Sequence, residues 1–354
     1  MSHSLQPRAS DRQAATGHWL SRFVWGLAAL TLFLICSGGM VTSKNAGLAV
    51  PDWPTTFGYN MFLFPVSQWV GGIFFEHSHR LIASAIGFLT IILAVWLWRA
   101  ESRRWLRVLG IVALVAVILQ GVLGGLRVTM LKDEIGIFHA CLAQAFLGLL
   151  VFIGVASSRS WSASKGQLRS ALVWLPLATT IAIYAQLALG ATMRHQHRDL
   201  SILDFPTAYG QVIPDTSPER LAGINQWREA RALSEVTAGH IWLQMAHRGM
   251  AAIIALGVVG YWLAIRMRAN KGTAALRALS AVWLFLLLCQ VTLGAWTIWS
   301  NKAADIATAH VAVGASMLSL GVAISALVLR LRATAEHTPS LRPATISREE
   351  LHAV

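Results

Sequence analysis

Eight apolar runs, each near the roughly 20 residues that a helix needs to cross a hydrocarbon core, constrain this chain more than any other feature. They lie at approximately 20–41, 75–98, 105–127, 136–156, 170–192, 241–265, 276–298 and 305–330. A composition of 55% hydrophobic and 13% charged residues, with 15 Trp, is far from that of a soluble protein. The expected fold class is an all-α integral membrane protein, its eight transmembrane helices arranged as two pseudo-symmetric four-helix bundles.

Orientation follows from charge. The formal net charge of +13 would suit nucleic acid if it formed a patch, but it is spread along the chain by topology. The N-terminus, the connections 99–107, 157–169 and 266–277, and the C-terminal tail hold 18 of the 29 Lys and Arg. By the positive-inside rule both termini face the cytoplasm, and no nucleic-acid partner is implied. The first 19 residues are polar and no cleavage site follows a short apolar stretch, so the first run is expected to remain as a span. Cys36, Cys141 and Cys289 fall inside predicted helices, a placement that supports neither a disulfide framework nor a zinc site.

The chain repeats itself. Asp52-Trp53-Pro54-Thr55-Thr56-Phe57-Gly58 returns as Asp204-Phe205-Pro206-Thr207-Ala208-Tyr209-Gly210, and each copy precedes a His-Arg pair in an apolar run, His79-Arg80 and His247-Arg248. A further histidine closes each half, His139 and His310. Such order marks duplication. The expected units are a cytoplasmic segment 1–19, an N-terminal half 20–158, a C-terminal half 159–332 and a flexible tail 333–354.

The four histidines fall one to two turns into the second, fourth, sixth and eighth spans, at similar depth toward the outer leaflet. An imidazole in hydrocarbon is a functional candidate by default, although a helix-to-helix hydrogen bond is the plain alternative. Two equivalent pairs from facing helices match what six-coordinate haem iron requires, and no thiolate lies near them in sequence to favour zinc or copper. His77 points to another side of its helix, and His195 and His197 are expected in a loop. His240 reads as an interfacial residue near the face of His247. Gln120, Gln186 and Gln290 each open a Gln-x-x-Leu-Gly pattern ending at Gly124, Gly190 and Gly294. Small residues there admit a flat macrocycle or another backbone, and the amide can bond across the bundle. Glu134 and Asp305 read as helix caps.

One difference separates the halves. Glu76 lies three residues before His79, whereas Gln244 stands three before His247. On one helical face, the carboxylate would point at the edge of a macrocycle ligated by His79; the competing reading is a salt bridge to Arg80 one turn on. A scaffold with an acid in one site suggests that one haem is worked on and the other passes electrons.

Together, Glu76 to Arg80, Gly124 to Arg127, the remaining histidines and the eight spans resemble the heme A synthase family, membrane enzymes that convert haem O to haem A for cytochrome oxidases. The resemblance covers about residues 20 to 330 and implies that Glu76, His79 and His139 build the catalytic site for the substrate haem, with His247 and His310 holding a haem b. It implies oxidation of the C8 methyl to a formyl by successive hydroxylations and loss of water. Many bacterial relatives carry a cysteine pair in the first outer loop; residues 42–68 here contain none. Within this reading Glu76 serves as a base or stabilises an electron-poor carbon, Arg80 and Arg248 face haem propionates or support the ligands, and the two Asp-aromatic-Pro loops cover the sites. Implied partners are a haem O synthase that delivers substrate, an unidentified electron donor or acceptor, and the cytochrome oxidase assembly machinery. The implied location is a bacterial inner membrane. A non-catalytic di-haem b electron carrier and a haem transporter are the alternatives; the first leaves the Glu76/Gln244 difference idle, and the second lacks an interrupted helix at mid-membrane.

Overall fold

The computed structural model describes residues 9–159, 161, 170–196, 198, 200–268 and 273–336. Its α-helices are α1 (Ala9–Ser43), α2 (Gly71–Ala100), α3 (Arg104–Met130), α4 (Asp133–Ala156), α5 (Ser170–His195), α6 (Pro218–Glu229), α7 (Ala238–Arg266), α8 (Ala274–Trp299) and α9 (Ala304–Glu336). All but α6 are long and apolar enough to cross a membrane, and each expected span lies wholly inside one of these eight helices. The protein is a multi-pass, all-helical membrane protein.

Local chemistry sets several boundaries. Leu131 adopts φ 56° and closes α3, after which Asp133 and Glu134 occupy the first turn of α4, where acids favour the positive end of the helix dipole. Asp305 sits likewise in the first turn of α9. Thr237 and His240 form a reciprocal capping box at the start of α7, which gives His240 a structural task. The short α6 was not anticipated because it is polar; it starts with Pro218 in its first turn and buries Ile224 and Arg228.

Neighbouring helices close two rings. In the first, α1 packs on α2, α2 on α3, α3 on α4 and α4 back on α1; in the second, α5 meets α7, α7 meets α8, α8 meets α9 and α9 returns to α5. Contacts of α9 with α1 and α4, and of α4 with α5, join them. Each ring has an apolar core, Leu27, Leu93, Leu106 and Leu150 in one and Ile254, Tyr261, Trp283 and Ile324 in the other. The buried Trp283 donates its indole N–H to Met317 O at 3.0 Å, which satisfies the one polar atom it brings inside. Exposed Phe88, Val115, Leu256 and Phe285 leave the outer faces apolar, as lipid requires.

Two placements differ from expectation. His195 is the last residue of α5, not part of a loop, because the helix runs on through the buried Met193 and through Arg194, which donates to Gly39 O of α1 at 2.6 Å and to Ser43 Oγ. At the C-terminus α9 continues past the start of the expected tail to Glu336, while the rest of the tail and His197 lie outside the described residues.

The charge distribution generates a test of orientation. Leu63 and Val212 are 76% and 82% exposed in the loops at the histidine end. A cysteine introduced at either position is expected to react with an impermeant thiol reagent in intact cells; reaction after lysis alone would reverse the assignment of sides.

Candidate functional site

Two loops at one end of the helices are built alike. The Asp52 carboxylate accepts from Phe57 N at 2.8 Å, Gly58 N at 2.9 Å and Thr55 Oγ1 at 2.5 Å. Asp204 accepts from Tyr209 N at 2.8 Å, Gly210 N at 2.9 Å and Thr207 Oγ1 at 2.7 Å. Each acid spans a tight turn with two successive positive φ angles, 50° and 76° in one and 53° and 78° in the other, which explains the glycine in both copies. Partial burial opposes ionisation of both carboxyls, but the donors around them outweigh it and hold each below the ordinary aspartate range. The Trp53–Pro54 and Phe205–Pro206 peptide bonds are cis.

The loops are tied to helices by the residues around the first histidine of each half. Arg80 donates to Asp52 O at 2.7 Å, Thr55 O at 3.1 Å and Val50 O at 2.9 Å. Arg248 donates to Asp204 O at 2.7 Å and Thr207 O at 2.8 Å. Buried Gln244 brackets Ile202, accepting from its N–H at 2.8 Å and donating to its carbonyl at 3.1 Å. Buried Glu76 accepts from Val50 N at 2.9 Å through Oε2, while Oε1 pairs with Arg80 at 2.7 Å. Val50 and Ile202 each stand two residues before the loop aspartate, so the acid and the amide hold equivalent points. A carboxylate cannot donate to Val50 O; the guanidinium of Arg80 does so in its place.

Inside the rings the four histidines share a setting. Each lies on a glycine of the membrane-spanning helix that precedes its own: a methyl group on Gly38 would come 3.0 Å from His79 Cε1, on Gly124 3.3 Å from His139, on Gly190 3.3 Å from His247, and on Gly294 3.1 Å from His310. Gln120 donates to the backbone O of His139 at 3.0 Å, Gln186 does the same for His247 at 2.9 Å, and the Gln290 amide approaches His310 Nε2 at 3.4 Å. His79 has Leu34 where the others have glutamine, which is why the Gln-x-x-Leu-Gly pattern did not reveal Gly38. In all four rings Nδ1 is buried without a partner among the described residues.

His79 and His139 belong to helices on opposite corners of the first ring, and His247 and His310 to helices on opposite corners of the second. Trp53 lies directly against Gly125, beside the glycine that seats His139. Phe205 meets Trp299 edge-on at 6.2 Å, with the Arg248 guanidinium carbon 5.4 Å from its centroid. His77 is set apart, buried beside Thr56 Oγ1 at 3.2 Å with Phe64 and Trp69 around it. No cluster of three or more His, Cys, Asp or Glu suited to a bare metal occurs among the described residues. Two imidazoles on small-residue seats do fit the axial positions of a planar macrocycle. The free Cys36, Cys141 and Cys289 lie in α1, α4 and α8.

These features define a multi-pass helical protein with twin imidazole pairs at one end. The family described as cytochrome oxidase assembly protein (COX15-CtaA) matches residues 21–322, and the chain belongs to that family. It is 29% identical over 334 residues to a protein named Heme A synthase of Rhodopseudomonas palustris, covering 84% of this chain and 86% of the relative. Heme A synthases of Shouchella clausii and Geobacillus kaustophilus are each 26% identical, over 74% and 81% of this chain and 92% and 85% of their own.

The glycine seats yield a prediction. Gly124→Val and Gly190→Val place branched carbon where a histidine ring lies, so each is expected to lower haem content in its own half while the other half keeps its absorption spectrum. Extraction of haem from the purified variants checks this; full haem in both would detach the seats from ligand placement.

Proposed function

We propose that the protein is a heme A synthase, an oxidoreductase that converts the C8 methyl of haem O to the formyl of haem A through two hydroxylations and loss of water. Membership of the family and the likeness to proteins of that name over most of the chain support this reading. The observation that carries it within the molecule is a pair of equivalent histidine sites that differ in a carboxylate, Glu76 against Gln244. His79 and His139 would hold the substrate haem, and His247 and His310 would hold a haem b, which would supply electron transfer. A bound haem supplies the redox chemistry.

The residues of the chain orient and enclose. Imidazoles on opposite helices fix the plane of a macrocycle, and the glycine seats leave it room. Trp53 and Phe205 lie where a ring edge would pass, and the Asp-capped turns tied down by Arg80 and Arg248 restrict water. Glu76 is the one carboxylate one turn from a ligand histidine, and its role is to hold or accept a proton next to the reacting methyl while keeping the loop anchored through Val50. The arrangement extends to location: a bacterial inner membrane, both termini cytoplasmic, with haem O handed over by a haem O synthase and the product passed on toward cytochrome oxidase assembly.

Two experiments test the assignments. His247→Ala and His310→Ala are expected to remove the tightly held haem b, whereas His79→Ala and His139→Ala abolish product and leave most of that signal; equal haem b loss in all four would end the division of roles. Glu76→Gln recreates the residue at 244 and keeps an acceptor for Val50 N, so folding and haem b content should hold while haem A formed per bound haem b falls by about 10²-fold. Near-normal conversion in that variant would leave Glu76 as a loop anchor alone.

A further inference from the structure

Arg127 lies on the same stripe of α3 as two residues already placed against His139. Gln120 bonds to the backbone of that histidine, Gly124 seats its ring, and Arg127 follows at the next helical repeat, seven residues after Gln120. The guanidinium is pressed against loop backbone: a side chain on Gly47 would begin 3.0 Å from its Nη2.

Four of the other arginines at this end are held by the backbone. Arg80, Arg194, Arg228 and Arg248 all donate to backbone carbonyls. Among the described residues none accepts a hydrogen bond from the Arg127 side chain. Glu76 and Asp133 temper its charge from a distance, but both Glu76 oxygens are occupied by Arg80 and Val50. A cation set in a transmembrane helix with its donors unused is costly unless a partner arrives. A guanidinium presents parallel N–H groups that match a carboxylate. Met193 stands at the equivalent place in the second half, three residues after Gly190, so the feature belongs to the first pair alone.

We propose that Arg127 binds a propionate of the tetrapyrrole held between His79 and His139, and so sets which way round the macrocycle enters the first site. The proposal rests on the reading of those histidines as haem ligands. A correct rotation about the iron axis is what brings one ring methyl, rather than another, next to Glu76.

The test compares haem with its dimethyl ester, which keeps the ring and iron but lacks both carboxylates. Full-length protein in detergent is titrated with each, and the absorbance change that His139→Ala abolishes is assigned to the first site. Haem is expected to bind roughly 10- to 100-fold more tightly than the ester, the span that a charge-assisted hydrogen bond supports. Arg127→Gln should erase that preference and Arg127→Lys keep part of it, both with an unchanged second-half haem spectrum as the check on folding. Retention of the full preference in a folded Arg127→Gln protein would overturn the proposal while leaving the histidine reading intact. Unaltered haem binding in His139→Ala would remove the histidine reading and the proposal with it.

Discussion

A buried imidazole nitrogen without a hydrogen-bond partner is the interaction left open on which the rest of the architecture turns. Each of the four paired histidines has one among the described residues, as does His77, and an unsatisfied polar group inside a membrane protein costs on the order of 1–3 kcal/mol. The surrounding structure fixes each ring and keeps it bare. Glycines on α1, α3, α5 and α8 let the rings come close to neighbouring backbone, and three glutamine amides bind at or beside the histidines from across the bundle. Holding a ring still while leaving nitrogen for another atom is what an axial ligand site demands.

The carboxylate and the amide at positions 76 and 244 show how duplication can be edited without loss of scaffold. Gln244 satisfies both backbone groups of Ile202 by itself. Glu76 can satisfy only the N–H of Val50, and Arg80 covers the carbonyl. The change therefore adds an acid to one site at no cost in loop attachment, since an arginine already present in both halves takes up the missing donor. Arg248, by contrast, keeps its Nε buried and without a partner among the described residues.

The eight helices were legible because hydrocarbon admits little else for such long apolar runs, and the paired histidines because the repeat aligns them. Helical rise alone places His79, His139, His247 and His310 toward one end of their helices. Less visible was anything that depends on loop geometry. That Arg80 and Arg248 reach backbone carbonyls depends on contacts across 25 to 44 residues, and the turns with positive φ closed by Asp52 and Asp204, though local, carry no periodic signal. Gly38 went unnoticed because Leu34 breaks the glutamine pattern, although its Gly38-Gly39 pair parallels Gly124-Gly125. Helix α6 escaped because its polar sequence carries no amphipathic stripe.

The loop between α5 and α7 has a small core of its own, formed by Ile202, Ala208, Ile224, Val236 and Ile241, with Arg228 bound beneath it to Leu200 O and Ser234 O. The loop between α1 and α2 has no aliphatic cluster of this kind among the described residues; its buried Phe64 packs against Phe57, Tyr59 and His77, with Trp69 also on His77, and two single-turn 3-10 helices lie between. The two rings are thus roofed by different means, one by a folded unit with an aliphatic core of its own and the other by stacked aromatic rings pinned to α2 through Arg80.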